Sequence, residues 1–188
     1  GYAKRPSTIT YENDIRMQIK NGVTSFHISE ETWRNPLELA PGLDKKKLAS
    51  MRVSWDLIID IDCPHWGICK LITHLLTQEI KSHGISNVSV KFSGNKGFHI
   101  GVPTESFTSP RPEEFPDLPQ KIAGYLLERI TDEAARQIKE ILQEEFGDEF
   151  LSKAEELFHK PKQQLFDEHM VLRLTEVVEV DTILITPR

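Results

Sequence analysis

Apolar and polar residues alternate most regularly over residues 55–62, where the sequence reads WDLIIDID. Leu57, Ile59 and Ile61 point to one side of an extended chain, whereas Asp60 and Asp62 point to the other. Alternation with a period of two is typical of a β-strand that has one buried face. The segment is therefore predicted to be a strand with an apolar face and an acidic face.

The apolar period changes directly after this strand. Over residues 68–80 the apolar positions recur at helical spacing, which predicts an amphipathic helix. Alternation then returns over residues 88–92 and 98–102, with a glycine-containing segment, residues 93–97, between the two runs. Two short alternating runs around such a segment predict a β-hairpin.

The other elements follow less regular patterns. We expect a strand over 23–29, a short helix from 29, a proline-rich loop over 103–119, helices over about 118–146 and 150–158, and a β-rich segment over 171–185. Together these elements predict an α/β fold with a mixed or largely antiparallel central sheet flanked by helices. Residues 103–170 are expected to form a mainly helical insertion or flank within one unit, residues 1–188.

Composition narrows the class of protein. The chain has 188 residues, of which 38% are hydrophobic and 28% charged, as in an ordinary globular domain. No apolar run approaches the roughly 18 residues that span a bilayer, and no signal peptide is evident, so we expect no membrane partner. Two cysteines do not make a disulfide framework. We therefore expect an intracellular location, either the cytoplasm of a prokaryote or the nucleus. The sequence lacks an initiator Met, and we expect a longer chain.

The net charge of −6 weighs against a nucleic-acid-binding protein, because such proteins usually present a basic face to phosphates. Two considerations reduce its weight. Carboxylates that bind metals add to the formal negative charge, and a weakly bound template is normal where another domain or subunit supplies the grip.

Asp60 and Asp62 form the first candidate site. Two carboxylates at this spacing share a face of the strand and lie only about 6–7 Å apart. They repel each other at neutral pH, and a hard divalent cation such as Mg²⁺ or Mn²⁺ would relieve that repulsion. The alternative is a solvated strand end with two ordinary surface acids, and these residues alone leave both interpretations open.

The second candidate site is the hairpin segment, residues 93–99. Glycines let backbone N–H groups approach a polyanion, and a lysine beside them suits phosphate. The candidate nucleotide-binding residues are Ser93, Gly94, Asn95, Lys96, Gly97 and His99. An ordinary hairpin turn is the alternative, because Ser, Asn and Gly are common turn residues.

A third candidate is Asp181, an acid within a run of β-branched residues. It is either a metal ligand or part of an exposed polar face that it shares with Glu179. A possible zinc site at Cys63, His65 and Cys69 lacks the usual ligand spacing and an evident fourth ligand. We therefore do not expect structural zinc, and the two cysteines either pack in the core or form a redox pair.

The order of these features resembles the archaeo-eukaryotic primase superfamily, which includes the primase catalytic small subunit and the primase-polymerases. Residues 55–62 resemble its metal-binding strand, and residues 93–99 resemble its Ser-Gly-x-x-Gly-x-His nucleotide motif. Asp181 resembles its third metal ligand. The likeness covers residues 54–188, but many relatives carry a basic residue where this chain has Asn95. The family usually continues into a basic, His-containing segment, and this chain stops at Arg188.

The resemblance implies a primase-type core that catalyses template-dependent nucleotidyl transfer. Asp60, Asp62 and Asp181 would hold two divalent metal ions, Mg²⁺ or Mn²⁺, and the hairpin would bind an NTP or dNTP. The implied partners are a single-stranded DNA template, a primer strand, and an accessory or large subunit or fused domains. Replicative, plasmid, CRISPR-associated and repair enzymes all remain candidates. A catalytically silent nucleotide- or nucleic-acid-binding module and a metal-dependent phosphodiesterase are the alternatives.

Overall fold

The computed structural model describes residues 9–40, 42–108 and 110–181 of the chain. Its helices are α1 (Glu12–Lys20), α2 (Lys45–Met51), α3 (Trp66–Ser82), α4 (Asp117–Phe146), α5 (Phe150–Phe158), α6 (Lys162–Leu165) and α7 (Leu174–Val177). Its strands are β1 (Glu31–Trp33), β2 (Arg52–Trp55), β3 (Leu57–Asp62), β4 (Ser89–Phe92), β5 (Gly97–Val102) and β6 (Glu179–Asp181).

The described strands form two antiparallel sheets. Strands β1 and β2 make a small two-stranded sheet, and the other four make a sheet of order β4-β5-β3-β6. The acid-bearing strand β3 is central and pairs with both β5 and β6. The prediction of an α/β fold with antiparallel sheets flanked by helices is therefore confirmed.

One face of the four-stranded sheet is the core. Leu57, Ile59 and Ile61 are at most 1% exposed, as the alternation predicts, and helices α3 and α4 lie against this part of the molecule. The predicted stripe of α3 is also buried, including Ile68 and Ile80. None of the described helices combines the length and the apolar character that a membrane crossing requires.

The N-terminal predictions are wrong in two places. Residues 23–29 contain no strand, and the segment after Ser29 forms strand β1 where a helix was predicted. The Ser29 hydroxyl accepts the backbone N–H of Glu31 and the indole N–H of Trp33. These contacts turn the chain into an extended segment that pairs with β2, so tertiary pairing overrides the local cap signal.

Arg52 joins the small sheet to the proline-rich loop. Its guanidinium lies 2.6 Å from Glu31 and donates a 2.8 Å hydrogen bond to the carbonyl of Pro112. It also lies over the rings of Trp33 and Phe115, at 5.2 and 4.7 Å from their centroids. This buried cluster anchors β1 and the residues next to it.

The C-terminal β-rich prediction is correct only in part. Helices α4 and α5 and the hairpin of β4 and β5 occur as predicted. Within residues 171–181, however, Leu174 to Val177 is a short helix, because a helical turn buries both of its ends in the core. Strand β6 covers Glu179 to Asp181, and residues 182–185 of the predicted run lie outside the described residues.

Candidate functional site

One row of polar side chains crosses the four-stranded sheet. Asp60 on β3 lies directly opposite His99 on β5 and Asp181 on β6, and His99 in turn lies opposite Lys91 on β4. Directly paired residues share a face of a sheet, so all four side chains lie on the face away from the buried isoleucines. The pairing thus brings together the acidic strand, the hairpin and the C-terminal acid.

A second row lies one step along the same face. Asp62 pairs with Gly97 on one side and Glu179 on the other. The ammonium of Lys96 lies 3.8 Å from a carboxylate oxygen of Asp62. Lysine and aspartate from two separate motifs therefore meet at the end of the sheet where the hairpin turns.

Gly97 permits this close approach. A Cβ atom built at this position would lie 2.1 Å from the carbonyl oxygen of Ile61 and 2.3 Å from a carboxylate oxygen of Asp62. No larger residue fits without separating β3 from β5. The close contact with the acidic strand β3 therefore explains why the second glycine of the hairpin motif must be a glycine.

The hairpin loop, residues 93–97, is closed by its own first residue. The Ser93 hydroxyl accepts the backbone N–H of Gly97 at 3.2 Å, and the Ser93 N–H donates to the carbonyl of Gly97 at 2.9 Å. Gly94 has a φ of +99°, a conformation that favours glycine. Asn95 and Lys96 are exposed at the tip. The structure thus gives Ser93 and the glycines shaping roles and leaves the tip accessible to a ligand.

The pKa of the Asp60 carboxyl is raised above its ordinary value. Burial raises its pKa, the nearby His99 ring lowers it, and the charges of Asp62 and Asp181 raise it again. Asp60 Oδ1 is buried and lies 3.2 Å from His99 Nε2, but the two groups are not aligned for a hydrogen bond. The oxygen therefore lacks a hydrogen-bond donor, an arrangement that a bound cation would stabilise.

The donor atoms of the acidic rows suit a hard divalent ion, because Asp60, Asp62 and Asp181 all offer carboxylate oxygens. Within the described residues, no three His, Cys, Asp or Glu side chains converge into a ready-made metal-binding group. Directly opposite residues of an antiparallel pair have Cα atoms about 4.5–5.5 Å apart. The carboxylates would therefore have to converge further to hold a metal ion.

Glu30 is a titratable residue near the acidic rows that the sequence did not indicate. Burial raises its pKa to about 8, and the charges of Glu31 and Asp181 add to that effect. Its Oε2 atom is buried and lacks a hydrogen-bond partner in the described structure. The sequence pattern placed Glu30 in the first turn of a helix, and no local signal would have brought it close to Asp181.

The cysteine-rich segment, residues 63–69, packs as the start of α3. Burial raises the pKa of Cys63 to about 12 and that of Cys69 to about 11, so both thiols are protonated at neutral pH. The Cys69 thiol lies 3.6 Å from the carbonyl of Ile61. Both ring nitrogens of His65 are engaged, one by a backbone N–H of α3 and the other by Glu145 at 2.8 Å. These contacts favour the packing interpretation.

Comparisons with protein-family models, curated proteins and solved structures found no match to this chain.

Proposed function

We propose that this chain is the catalytic core of a template-dependent nucleotidyltransferase of the primase-polymerase type. The substrates would be NTPs or dNTPs, and the template would be single-stranded DNA. The observation that carries the proposal is the alignment of Asp60, His99 and Asp181 across three strands. This alignment supports the proposal because it brings residues that are far apart in the sequence onto one face of the sheet.

Asp60, Asp62 and Asp181 would hold divalent metal ions, Mg²⁺ or Mn²⁺. Two such ions, when bound, lower the pKa of an attacking 3′-hydroxyl and neutralise the charge of the departing pyrophosphate. The unsatisfied Oδ1 of Asp60 supports this assignment, since a buried carboxylate oxygen without a donor is costly unless a cation compensates it. His99, at 3.2 Å, limits the orientations open to that carboxylate.

The hairpin loop would bind the triphosphate. Lys96 is half exposed and lies beside Asp62, so its ammonium can contact a phosphate that is held near the acidic rows. Lys91 adds a second cation at the far end of the row. The backbone N–H groups at the tip of the loop are further donors, and Gly97 keeps the loop against β3. Binding and orientation of the triphosphate are thus assigned to β5 and its loop.

The test is a template-directed extension assay on primed and unprimed single-stranded DNA, with NTPs or dNTPs and Mn²⁺. The control is the double variant Asp60→Ala and Asp62→Ala, checked for folding by circular dichroism. We expect products with the wild type that disappear in the double variant, and products on unprimed template would identify priming. Release of nucleoside monophosphates instead of pyrophosphate would identify a phosphodiesterase. No product from the folded wild type would reject the proposal.

A second candidate is a silent nucleotide- or nucleic-acid-binding module of the same fold. One observation favours it, namely that the carboxylates within the described residues do not already converge on a common point. Mn²⁺ binding, followed by electron paramagnetic resonance, separates the two candidates. A catalytic site should bind about two ions and lose them in the double variant, whereas a silent module should bind few or none.

A further inference from the structure

Three aromatic side chains form a surface cluster at the turn of the hairpin. The ring centroids of Trp66 and Phe98 are 5.0 Å apart, those of Trp66 and Phe92 are 5.4 Å apart, and those of Phe92 and Phe98 are 5.9 Å apart. Trp66 is 49% exposed and Phe92 47% exposed. Packing against the core therefore does not explain why these rings are clustered, because much of their surface faces solvent.

The aromatic cluster and the acidic rows lie on opposite faces of the sheet. Phe98 pairs directly with Ile61, so it shares the face of the buried isoleucines and not that of Asp60. Phe92 and Phe98 also flank the hairpin loop on either side. A DNA strand that passes around this loop could contact both faces of the sheet, but the reacting nucleotide itself would occupy the acidic face.

The segment of sequence that carries the cluster has more basic than acidic residues, unlike the whole chain. Residues 63–102 contain four basic residues, Lys70, Lys81, Lys91 and Lys96, and one acidic residue, Glu79, whereas the chain as a whole has a net charge of −6. Glu79 is already paired with Arg129 at 3.0 Å and His83 at 3.3 Å. Lys91 lies on the face of the acidic rows and Lys81 in the last turn of α3, so Lys70 and Lys96 are the lysines of this segment that stand nearest to the cluster.

Two lysines stand close to the cluster in the fold. Lys70 follows Trp66 by one helical turn, so the two residues share a side of α3 and both are exposed. Lys96 lies in the loop between Phe92 and Phe98 and is half exposed. Exposed rings flanked by lysines are the combination that binds single strands, because bases stack on rings and phosphates pair with ammonium groups.

We propose that the Trp66–Phe92–Phe98 cluster stacks bases of single-stranded DNA, with Lys70 on an adjacent phosphate. The identity of that strand as a template rests on the proposed function, but the binding itself does not. A competing occupant is a protein strand or a second copy of the chain, since β4 is an edge strand in the described sheet and Val90 is also exposed. The local positive charge favours the nucleic acid.

The first test measures the affinity for a fluorescein-labelled oligothymidine by anisotropy, in EDTA and without nucleotide. Trp66→Ala should bind about 5- to 100-fold more weakly, whereas Trp66→Phe should keep most of the affinity. The matched control is Tyr125→Ala, because Tyr125 is equally exposed, at 47%, and lies beside His83 near the other end of α3. Affinity unchanged in Trp66→Ala, or reduced equally in Tyr125→Ala, would overturn the proposal.

The second test changes charge. Lys70→Glu should weaken binding and reduce the slope of log affinity against log salt by about one or two, whereas Lys46→Glu, an exposed lysine on α2, should change neither. Light scattering on the same variants measures assembly. A dimer that Trp66→Ala dissociates, with DNA affinity unaltered, would assign the cluster to a second copy and reject the inference.

The double variant Asp60→Asn and Asp62→Asn separates this inference from the proposed function. We expect it to keep or exceed the wild-type DNA affinity while losing extension activity. If the wild type extends no primer but binds DNA in a way that depends on Trp66, the proposed polymerase function is rejected and the role of the aromatic cluster in DNA binding is supported. Extension activity in a protein whose template affinity does not depend on Trp66 would support the polymerase and reject the role of the aromatic cluster.

Discussion

Replacing Gly97 with alanine tests the close approach of the two motifs. The added Cβ would lie 2.1 Å from the carbonyl oxygen of Ile61, whereas Cβ atoms essentially never come closer than 3.0 Å to such an atom. Because the obstacle is backbone, no side-chain rotation relieves it. Strands β3 and β5 would have to separate by about 1 Å at this end, which would stretch a typical 2.9 Å ladder hydrogen bond beyond its useful range.

The expected cost follows from that geometry. Overpacking of a closely packed site typically costs about 1–3 kcal/mol. For a domain of this size, each kcal/mol lowers the melting temperature by about 2–4 °C, so we expect a decrease of roughly 2–12 °C. Asp62 lies 2.3 Å from the same Cβ position, so its carboxylate must also move. Extension activity should therefore fall by more than the loss of stability explains.

Two other glycines provide matched controls for the same substitution. At Gly101, on the same strand, the new Cβ would meet the Ser89 hydroxyl at 2.7 Å, and that hydroxyl can rotate away at a cost below about 1 kcal/mol. At Gly124, within α4, nothing lies within 4 Å, and alanine should stabilise the helix by about 0.4–1 kcal/mol.

The measurement is urea unfolding of the wild type and the three alanine variants, followed by circular dichroism. We expect stability in the order Gly124→Ala, wild type, Gly101→Ala and Gly97→Ala, from highest to lowest. A Gly97→Ala variant as stable as Gly101→Ala, with full activity, would refute the steric role of Gly97 and the close contact of β3 with the hairpin.

Three further predictions concern charge. Arg52→Met should lower the free energy of unfolding by about 3–5 kcal/mol, because it leaves the Glu31 carboxylate, whose side chain is only 12% exposed, without its partner. Urea unfolding measures this, and a loss below about 1 kcal/mol would contradict it. Because burial raises the pKa of Glu30 from its ordinary value of 4.5 to about 8, the folded protein binds a proton between these pH values that the unfolded chain does not. Stability in EDTA should therefore fall as the pH rises from about 4.5 to 8, with a slope below the roughly 1.4 kcal/mol per pH unit of a fully buried group, because Glu30 is partly exposed and water screens its charge. Glu30→Gln should remove that slope, and a slope unchanged in the variant would show that other groups cause it. Lys96→Ala should raise the KM for nucleotide roughly 10- to 100-fold in steady-state extension assays, because it removes a charge-assisted contact to phosphate. Lys153→Ala is the control, and an unchanged KM in Lys96→Ala would exclude Lys96 from the nucleotide site.

Local pattern was sufficient for the elements that carry the candidate site. Strand β3, helix α3 and the hairpin each show their own period in the sequence. Helix α3 and the hairpin occur as predicted, whereas β3 covers only Leu57–Asp62 of the predicted strand 55–62, because Trp55 ends β2 of the small sheet. The two motifs could be found because each is contiguous. Their physical signals, alternation and helical spacing, depend on neighbours within one element and need no knowledge of the fold.

The relations between elements could not be predicted in this way. The pairing of Asp60 with Asp181 joins distant segments, and no local period encodes which strand lies next to β3. Glu30 was missed for the same reason, because its burial and its proximity to Asp181 arise from the small sheet. Ser29 looked like a helix cap, yet the pairing of β1 with β2 determined the local structure.

The most direct test of the central claim compares three proteins in template-directed primer extension with Mn²⁺: the wild type, Asp60→Asn and Asp132→Asn. Both substitutions remove one negative charge, but Asp132 is an exposed residue of α4 outside the acidic rows. We expect the wild type and Asp132→Asn to extend at the same rate, and Asp60→Asn to be slower by at least about 100-fold. Extension by Asp60→Asn at the wild-type rate would contradict a catalytic role for the acidic rows.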